Sequence, residues 1–231
     1  MAGKDKLRKF AENLTFDNVI QPKFDEVFRV DYKLKNAWNS LFWKNSNPIV
    51  LELGCGKGEY SVEMAQMFPD KNFIGIDIKG ARFWRGAKTA LENSISNVAF
   101  IRTLVEFLGS FFGKNEISEI WITFPDPQLK SSRAKKRLTS PRFLNLYRQV
   151  LVPEGIIHLK TDSQELHEYT KELLLFNNQT ILECTNDLYN SNTTDEVLSI
   201  KTHYEKSYLK QGKAITYIKF QVKDEIQHLP E

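Results

Sequence analysis

Ile49-Val-Leu-Glu52-Leu-Gly54-Cys55-Gly56-Lys57-Gly58-Glu59 decides how the rest of the chain is read. Residues 49–53 are a short apolar run with the length and composition of a buried strand. The run breaks into glycines and resumes as a helical pattern from Glu59. A glycine-rich strand-to-helix turn leaves bare backbone N–H groups open to a ligand. About twenty residues on, where a ribose-binding acid is expected in such folds, a second apolar run, Phe73-Ile-Gly-Ile76, ends in Asp77. A third, Ile120–Phe124, ends in Pro125-Asp126-Pro127. Each run therefore delivers functional groups to what would be the carboxyl edge of one sheet.

The same alternation continues along the chain. Strands are predicted at 49–53, 72–77, 98–103, 119–124, 155–161, near 180–185 and at 214–222. Helices are predicted at 59–68, 79–93, 140–151 and 163–176. Strand–helix alternation implies an α/β fold, a mostly parallel sheet with helices on both faces. The last two strands flank a long polar segment without a crossover helix, which suits an antiparallel closing pair. Residues 1–47 read as a basic N-terminal extension without a strand pattern, with an amphipathic helix over 33–43. Residues 48–231 read as one domain, a size that 231 residues and an apolar fraction of 41% support.

Composition narrows the classes further. Mean hydropathy is −0.42, and no apolar stretch approaches the roughly 20 residues of a membrane span. The first residues carry no apolar signal region, so a cytoplasmic location is expected. Cys55 and Cys184 are far apart and read as reduced thiols. The four histidines make no metal-binding spacing, and no metal is expected. Net charge is only +3, so the placement of basic residues matters more than their sum.

The glycine turn resembles a dinucleotide fingerprint but departs from it at one place. The third glycine of that fingerprint would fall where Glu59 stands, and a carboxylate sits badly beside a pyrophosphate. The spacing suits a cofactor without phosphates, such as S-adenosylmethionine. Glu52 fits, because a carboxylate near the loop attracts a cationic end. Asp77 can accept both hydroxyls of a ribose and can equally cap the following helix. Lys79, Arg82, Arg85 and Lys88 recur every three positions along that helix, as a solvated face or a phosphate-contacting one, with Phe83, Ala87 and Leu91 toward the sheet. Thr103, at the third strand's end, offers a hydroxyl where such folds hold the base.

Asp126 sits between prolines that fix the backbone on either side. Lys130, Arg133, Lys135, Lys136 and Arg137 follow at once, a cluster suited to a phosphate backbone. Leu159-Lys160-Thr161-Asp162 ends the fifth strand in another carboxylate, and Thr202-His203-Tyr204-Glu205 opens the final polar segment. Alone, each of these last two reads as a loop.

Taken in order, Glu52-Leu-Gly-Cys-Gly-Lys-Gly58, Gly75-Ile-Asp77, Phe124-Pro-Asp126-Pro127 with its basic tail, Lys160-Thr-Asp162, and Thr202-x-Tyr-Glu205 with Gly212 resemble bacterial tRNA (guanine-N7)-methyltransferases of the TrmB type. The resemblance spans roughly 49–220. It implies a class I S-adenosylmethionine-dependent methyltransferase fold, Rossmann-like, with a seven-stranded sheet and an antiparallel last strand. It implies formation of 7-methylguanosine at position 46, in the variable loop of tRNA, by a monomer or homodimer. Glu52, Gly54, Gly56, Asp77, Thr103 and Asp126 would then bind the cofactor, and Asp126 would be the catalytic acid. Lys130, Asp162, Thr202, His203, Tyr204 and Glu205 would bind the substrate. The family commonly has an acid where Thr103 stands and Trp where Gln128 stands.

Guanine N7 carries its own lone pair, so attack on a sulfonium methyl requires no base there. Alignment and a carboxylate near the ring are what catalysis demands. Asp126, Asp162 and Glu205 are the candidates for that carboxylate. Two other readings compete: a different class I RNA methyltransferase, and a non-catalytic RNA-binding module with a vestigial pocket. An amino-group methyltransferase would end its fourth strand in Asn/Asp-Pro-Pro-aromatic, which Pro125-Asp126-Pro127-Gln128 does not match.

Overall fold

The computed structural model describes residues 2–193 and 195–229, with residues 2–4 described in backbone only. Helix α1 (Ala2–Asn13) leads into a two-residue strand β1 (Val19–Ile20). Then follow β2 (Ile49–Leu53), α2 (Glu59–Met67), β3 (Asn72–Asp77), α3 (Gly80–Glu92), β4 (Val98–Arg102), a short α4 (Leu108–Phe111), β5 (Ile117–Thr123) and α5 (Pro141–Val150). The chain closes with β6 (Leu151–Thr161), α6 (Gln164–Phe176), β7 (Thr180–Thr185), α7 (His203–Lys210) and β8 (Thr216–Gln221).

The strands form one sheet in the order β1-β4-β3-β2-β5-β6-β8-β7. Only β8 runs against its neighbours, between β6 and β7. From β2 the chain winds one way through β3 and β4, then returns to the other side with β5 and β6. That reversal makes the β2/β5 boundary a topological switch point, where ligands bind at the carboxyl ends of strands.

Strand periodicity builds two cores. Ile49, Leu51 and Leu53 join Ile74, Ile76, Ile101, Ile120, Ile122 and Leu159 beneath α5, α6 and Trp38. The alternate residues Val50, Phe73, Val98, Phe100 and Trp121 face Tyr60 and Met64 of α2, Phe83 and Ala87 of α3, and Val197, Leu198 and Ile200. Because side chains alternate along a strand, each run that reads as uniformly apolar must be covered on both faces.

Four local expectations differ from what is observed. The sheet has an eighth strand, because Val19 and Ile20 pair with Phe100 and Ile101; two residues are too short to leave a sequence pattern. The amphipathic helix over 33–43 is instead a turn followed by the wide helical turn Trp38–Trp43, ended by Lys44 at φ 57°. Trp38 drives this arrangement: it is fully buried and its indole N–H donates to Phe111 O at 2.9 Å. In α3 the buried stripe is Phe83, Ala87 and Ala90, and Leu91 is 41% exposed. The segment expected to be loop before β8 contains α7. Thr202 caps it by accepting Glu205 N–H at 3.2 Å, the first half of a capping box.

Segment 5–47 packs on the body of the fold. Asn13 donates to Gly80 O at 2.9 Å and Trp84 Nε1 donates to Glu12 at 2.7 Å, so α1 lies along the start of α3. Among the described residues no helix is long and apolar enough to cross a membrane, and no group of His, Cys, Asp and Glu is arranged to hold a metal ion.

Candidate active site

Two adjoining cavities open at the switch point. The first, about 440 Å³, is lined by Gly54, Asp77, Thr103, Leu104, Asp126 and residues around them. The second, about 590 Å³, is lined by Asp77, Asp126, Asp162, Tyr204, Tyr208 and their neighbours. Asp77, Ile78, Arg82, Phe124, Pro125 and Asp126 border both. A small molecule in one cavity would thus meet a ligand in the other across Asp126.

Gly54 leaves β2 at φ 75°, and a Cβ built there would meet nothing within 4 Å. The backbone is bare on the cavity side, and the left-handed conformation keeps glycine there. Its N–H donates to Ile76 O at 2.7 Å, which ties the loop to β3. Asp77 holds the loop from the next strand: one oxygen accepts Gly56 N–H at 3.0 Å and the other Lys79 N–H at 2.7 Å. A carboxylate has about four acceptor positions, so capacity remains toward the cavity.

Glu52 lies beneath this loop and is 2% exposed. Its oxygens accept Ser61 N–H at 2.9 Å, the Ser61 hydroxyl at 2.5 Å and the Thr123 hydroxyl at 2.8 Å. Burial pushes its carboxyl up to about 7, against the pull of those donors. Glu52 lines neither cavity; it joins β2 to α2 and β5. Thr103 is buried and lines the first cavity beside Leu104 and Val105. Three acids and two bases line that cavity: Asp77, Glu106 and Asp126 against Arg82 and Lys136. The balance favours a ligand with net positive charge over a pyrophosphate.

Phe124-Pro125-Asp126-Pro127-Gln128 forms a constrained rim. Phe124 has φ 48° and Gln128 φ 47°, both left-handed non-glycine residues. Such positions cost about 1–3 kcal/mol each and persist only where surroundings hold them. Here Phe124 N–H donates to Lys160 O at 2.8 Å, and its ring lies 5.8 Å from that of Tyr208. Asp126 is exposed, with Gln128 N–H donating to it at 3.1 Å.

Asp162 faces the second cavity and accepts from Lys213 Nζ at 2.7 Å. Lys213 also sits 4.6 Å from the centre of the Tyr208 ring. Tyr204, 44% exposed, and Tyr208 supply the aromatic walls. Tyr208 carried no recognisable sequence signal, because only the helical register of α7 turns it beside Tyr204. Helix α7 also explains the other members of its motif. Thr202 is buried in its capping role, and His203 is exposed, its N–H donating to Glu59 at 2.9 Å.

Glu205 is not brought to either cavity. It is fully buried and pairs with Lys160 Nζ at 2.9 Å. Lys160 also donates to Leu198 O and Ile200 O, both at 3.0 Å, and Tyr189 Oη donates to Glu205. Burial pulls the Lys160 ammonium down, and the Glu205 carboxylate pulls it back up. This cluster bolts α7 and the 188–200 segment to β6. Lys130 is exposed at the start of the basic loop and lines neither cavity. Within that loop, Lys136 borders the first cavity, whereas Arg137 stacks 4.2 Å from the Tyr169 ring.

A family model described as "Putative methyltransferase" matches residues 46–218. The chain is 57% identical over 224 residues to the tRNA (guanine-N(7)-)-methyltransferase of Christiangramia forsetii, covering 96% of this chain and 100% of that protein. It is 50% identical over 218 residues to the protein of the same name from Bacteroides fragilis, covering 94% and 86%. Among solved structures, the 16S rRNA methyltransferase KamB aligns with a TM-score of 0.63 at 14% identity, covering 85% of this chain and 99% of that one. That last likeness is one of fold.

Proposed function

The chain belongs to the tRNA (guanine-N(7)-)-methyltransferase family, and from that premise we infer that it methylates guanine N7 in tRNA, using S-adenosylmethionine. We assign the target to position 46 of the variable loop, and read residues 48–231 as the methyltransferase domain and 1–47 as its basic extension. The enzyme works in the cytoplasm as a monomer or homodimer. The observation that carries this reading is Asp126 on the shared border of the two cavities.

The first cavity suits the cofactor. Its volume, about 440 Å³, falls in the range that takes a nucleoside-sized ligand, and its excess of acids suits a sulfonium. Asp77 would hold the ribose hydroxyls, Gly54 would let the cofactor lie close against bare backbone while Gly56 keeps Asp77 oriented through its N–H, and Thr103 with Leu104 would hold the adenine edge. Glu52 acts by bracing the loop through Ser61. When bound, the cofactor supplies a methyl group on a positively charged sulfur.

The second cavity suits the guanine. Tyr204 and Tyr208 offer stacking surfaces, and stacking of a base on an aromatic ring is worth about 1–3 kcal/mol. Guanine N7 needs no proton removed, so the protein's work is orientation and charge. Asp162 is half neutralised by Lys213 and serves to orient the base, accepting from N1–H or N2–H₂. Asp126 carries no ion pair among the described residues, and it stabilises positive charge as it grows on the ring. The exposed basic loop at 130–135 contacts tRNA phosphates.

The test is nucleoside mass spectrometry of tRNA incubated with the protein and isotope-labelled S-adenosylmethionine. Label in 7-methylguanosine is expected. Label in a methyladenosine, or none, would overturn the reading.

A further inference from the structure

A third cavity shares Arg82 with both of the others and Tyr204 with the second, and no role in cofactor or guanine binding has been given to it. It measures about 380 Å³ and is lined by Lys9, Lys57, Arg82, Arg85, Trp84 and Tyr204, together with Gly56 and Ala81. No carboxylate lines it. Lys57 comes from the glycine loop, Arg82 and Arg85 from α3, and Lys9 from α1, so three separate elements aim cations at one space. Lys57 and Arg82 stand in no ion pair among the described residues, while Lys9 pairs with Asp5 at 2.9 Å and Arg85 with Glu92 at 3.8 Å.

Gathering four cations, two of them unpaired among the described residues, costs repulsion energy, and an anion in the cavity offsets that cost. The walls are informative too. Trp84 is fixed by Glu12 and lies 5.0 Å from the Lys9 ammonium, and Tyr204 borders both this cavity and the guanine cavity. Cations beside aromatic faces suit a nucleotide, whose phosphate takes the charge and whose base takes the ring. Arg82 borders all three cavities.

We propose that this cavity is a phosphodiester site for the tRNA nucleotide next to the target guanosine, built jointly by α1, the glycine loop and α3. It rests on the tRNA reading above and extends it. Holding the neighbouring phosphate there would keep the target base turned into the second cavity, because Tyr204 stands between the two. It also gives the N-terminal segment a part in substrate binding through Lys9.

The experiment compares wild type with Lys57→Gln/Arg85→Gln, which spares Arg82 and Tyr204. Binding of an unmodified tRNA transcript is measured from 50 to 300 mM salt, alongside calorimetry with S-adenosylmethionine. The double variant should bind tRNA about ten-fold more weakly at low salt, with a slope of log K on log salt smaller by about one to two. Cofactor affinity should be unchanged, which also certifies the fold. A second arm uses tRNA carrying one neutral methylphosphonate linkage beside the target guanosine. That substitution should weaken binding to wild type and cost the double variant, which keeps Lys9 and Arg82, distinctly less.

A variant with the wild-type salt slope would overturn the proposal. So would equal losses from the neutral linkage in both proteins. A fall in cofactor affinity instead of tRNA affinity would mean that the cations serve the cofactor's carboxylate. Product identity is read separately: wild type that binds tRNA but makes no 7-methylguanosine refutes the activity and leaves the salt slope to decide the cavity.

Discussion

Asp126 keeps its carboxylate at the border of the two cavities proposed for cofactor and guanine, accepting one hydrogen bond, from Gln128 N–H at 3.1 Å. Its value lies in charge placed before the reaction starts, on backbone that prolines and a left-handed Phe124 hold in place. Asp126→Asn keeps size and most geometry but removes the charge. Under single-turnover conditions with saturating tRNA and cofactor, methyl transfer should slow about 10²–10³-fold. A near-normal rate would pass the role to Asp162. Glu52 behaves differently, because burial sets its ionisation. Its folded pKa, about 7, stands above the ordinary carboxylate value, so the folded state binds the extra proton. Stability tied to this group is therefore intact below about pH 4.5 and is lost as pH rises toward 7, by about 3 kcal/mol in all. Glu52→Gln cannot ionise. Urea unfolding should find the variant gaining on wild type by about that amount between pH 5 and pH 8, whatever constant hydrogen-bond loss it carries. A difference that does not change with pH would mean Glu52 ionises freely.

At the scale of elements, close approach and buried charge hold the site's parts together. Gly86 of α3 rides on the glycine loop: a Cβ there would lie 2.6 Å from Lys57 O and 3.0 Å from Gly58 Cα, both backbone atoms. Gly86→Ala should destabilise the fold by about 1–3 kcal/mol and weaken cofactor binding, because α3 and the loop must separate. Calorimetric affinity and a urea midpoint unchanged from wild type would contradict this. Lys160 and Glu205 tie α7 to β6 in the same way. Removing one partner leaves a buried charge alone, so Lys160→Met should cost about 3–5 kcal/mol of stability, measured by urea unfolding. A loss below 1 kcal/mol would show that the pair is not needed to hold α7. The strands, the glycine turn and the acids at strand ends were legible in the sequence because each is a local pattern of apolar runs and breakers. The placement of Glu205 was not legible. The Thr202-x-Tyr204-Glu205 motif looks uniformly polar, and only the turn of α7 separates Tyr204, facing the cavity, from Glu205, facing Lys160. The short β1 and the wide turn at Trp38 were hidden likewise, since their partners Phe100 and Phe111 lie far along the chain.

Across the whole molecule, a net charge of only +3 conceals a basic rim around an acidic mouth. The 130–137 loop, read from sequence as one cluster, divides by contact. Lys130, Arg133 and Lys135 are exposed and line neither cavity, Lys136, also exposed, borders the first cavity, and Arg137 leans on Tyr169. Replacing Lys130, Arg133 and Lys135 with Ala should lower the salt slope of tRNA binding by about two to three and leave cofactor affinity unchanged. A slope equal to that of wild type would contradict phosphate contact by the loop. The resemblance read from scattered motifs and the family membership agree because those motifs fall on successive strand ends of one sheet. The account as a whole claims that this mouth delivers a methyl group to one guanine N7 in the tRNA variable loop. Borohydride reduction and aniline treatment cleave RNA at 7-methylguanosine, so the modified position can be mapped directly on tRNA treated with enzyme and cofactor. The account predicts one new cleavage, at guanosine 46, absent from a tRNA bearing adenosine there. Cleavage elsewhere, or methyl incorporation that survives the change to adenosine, would contradict it.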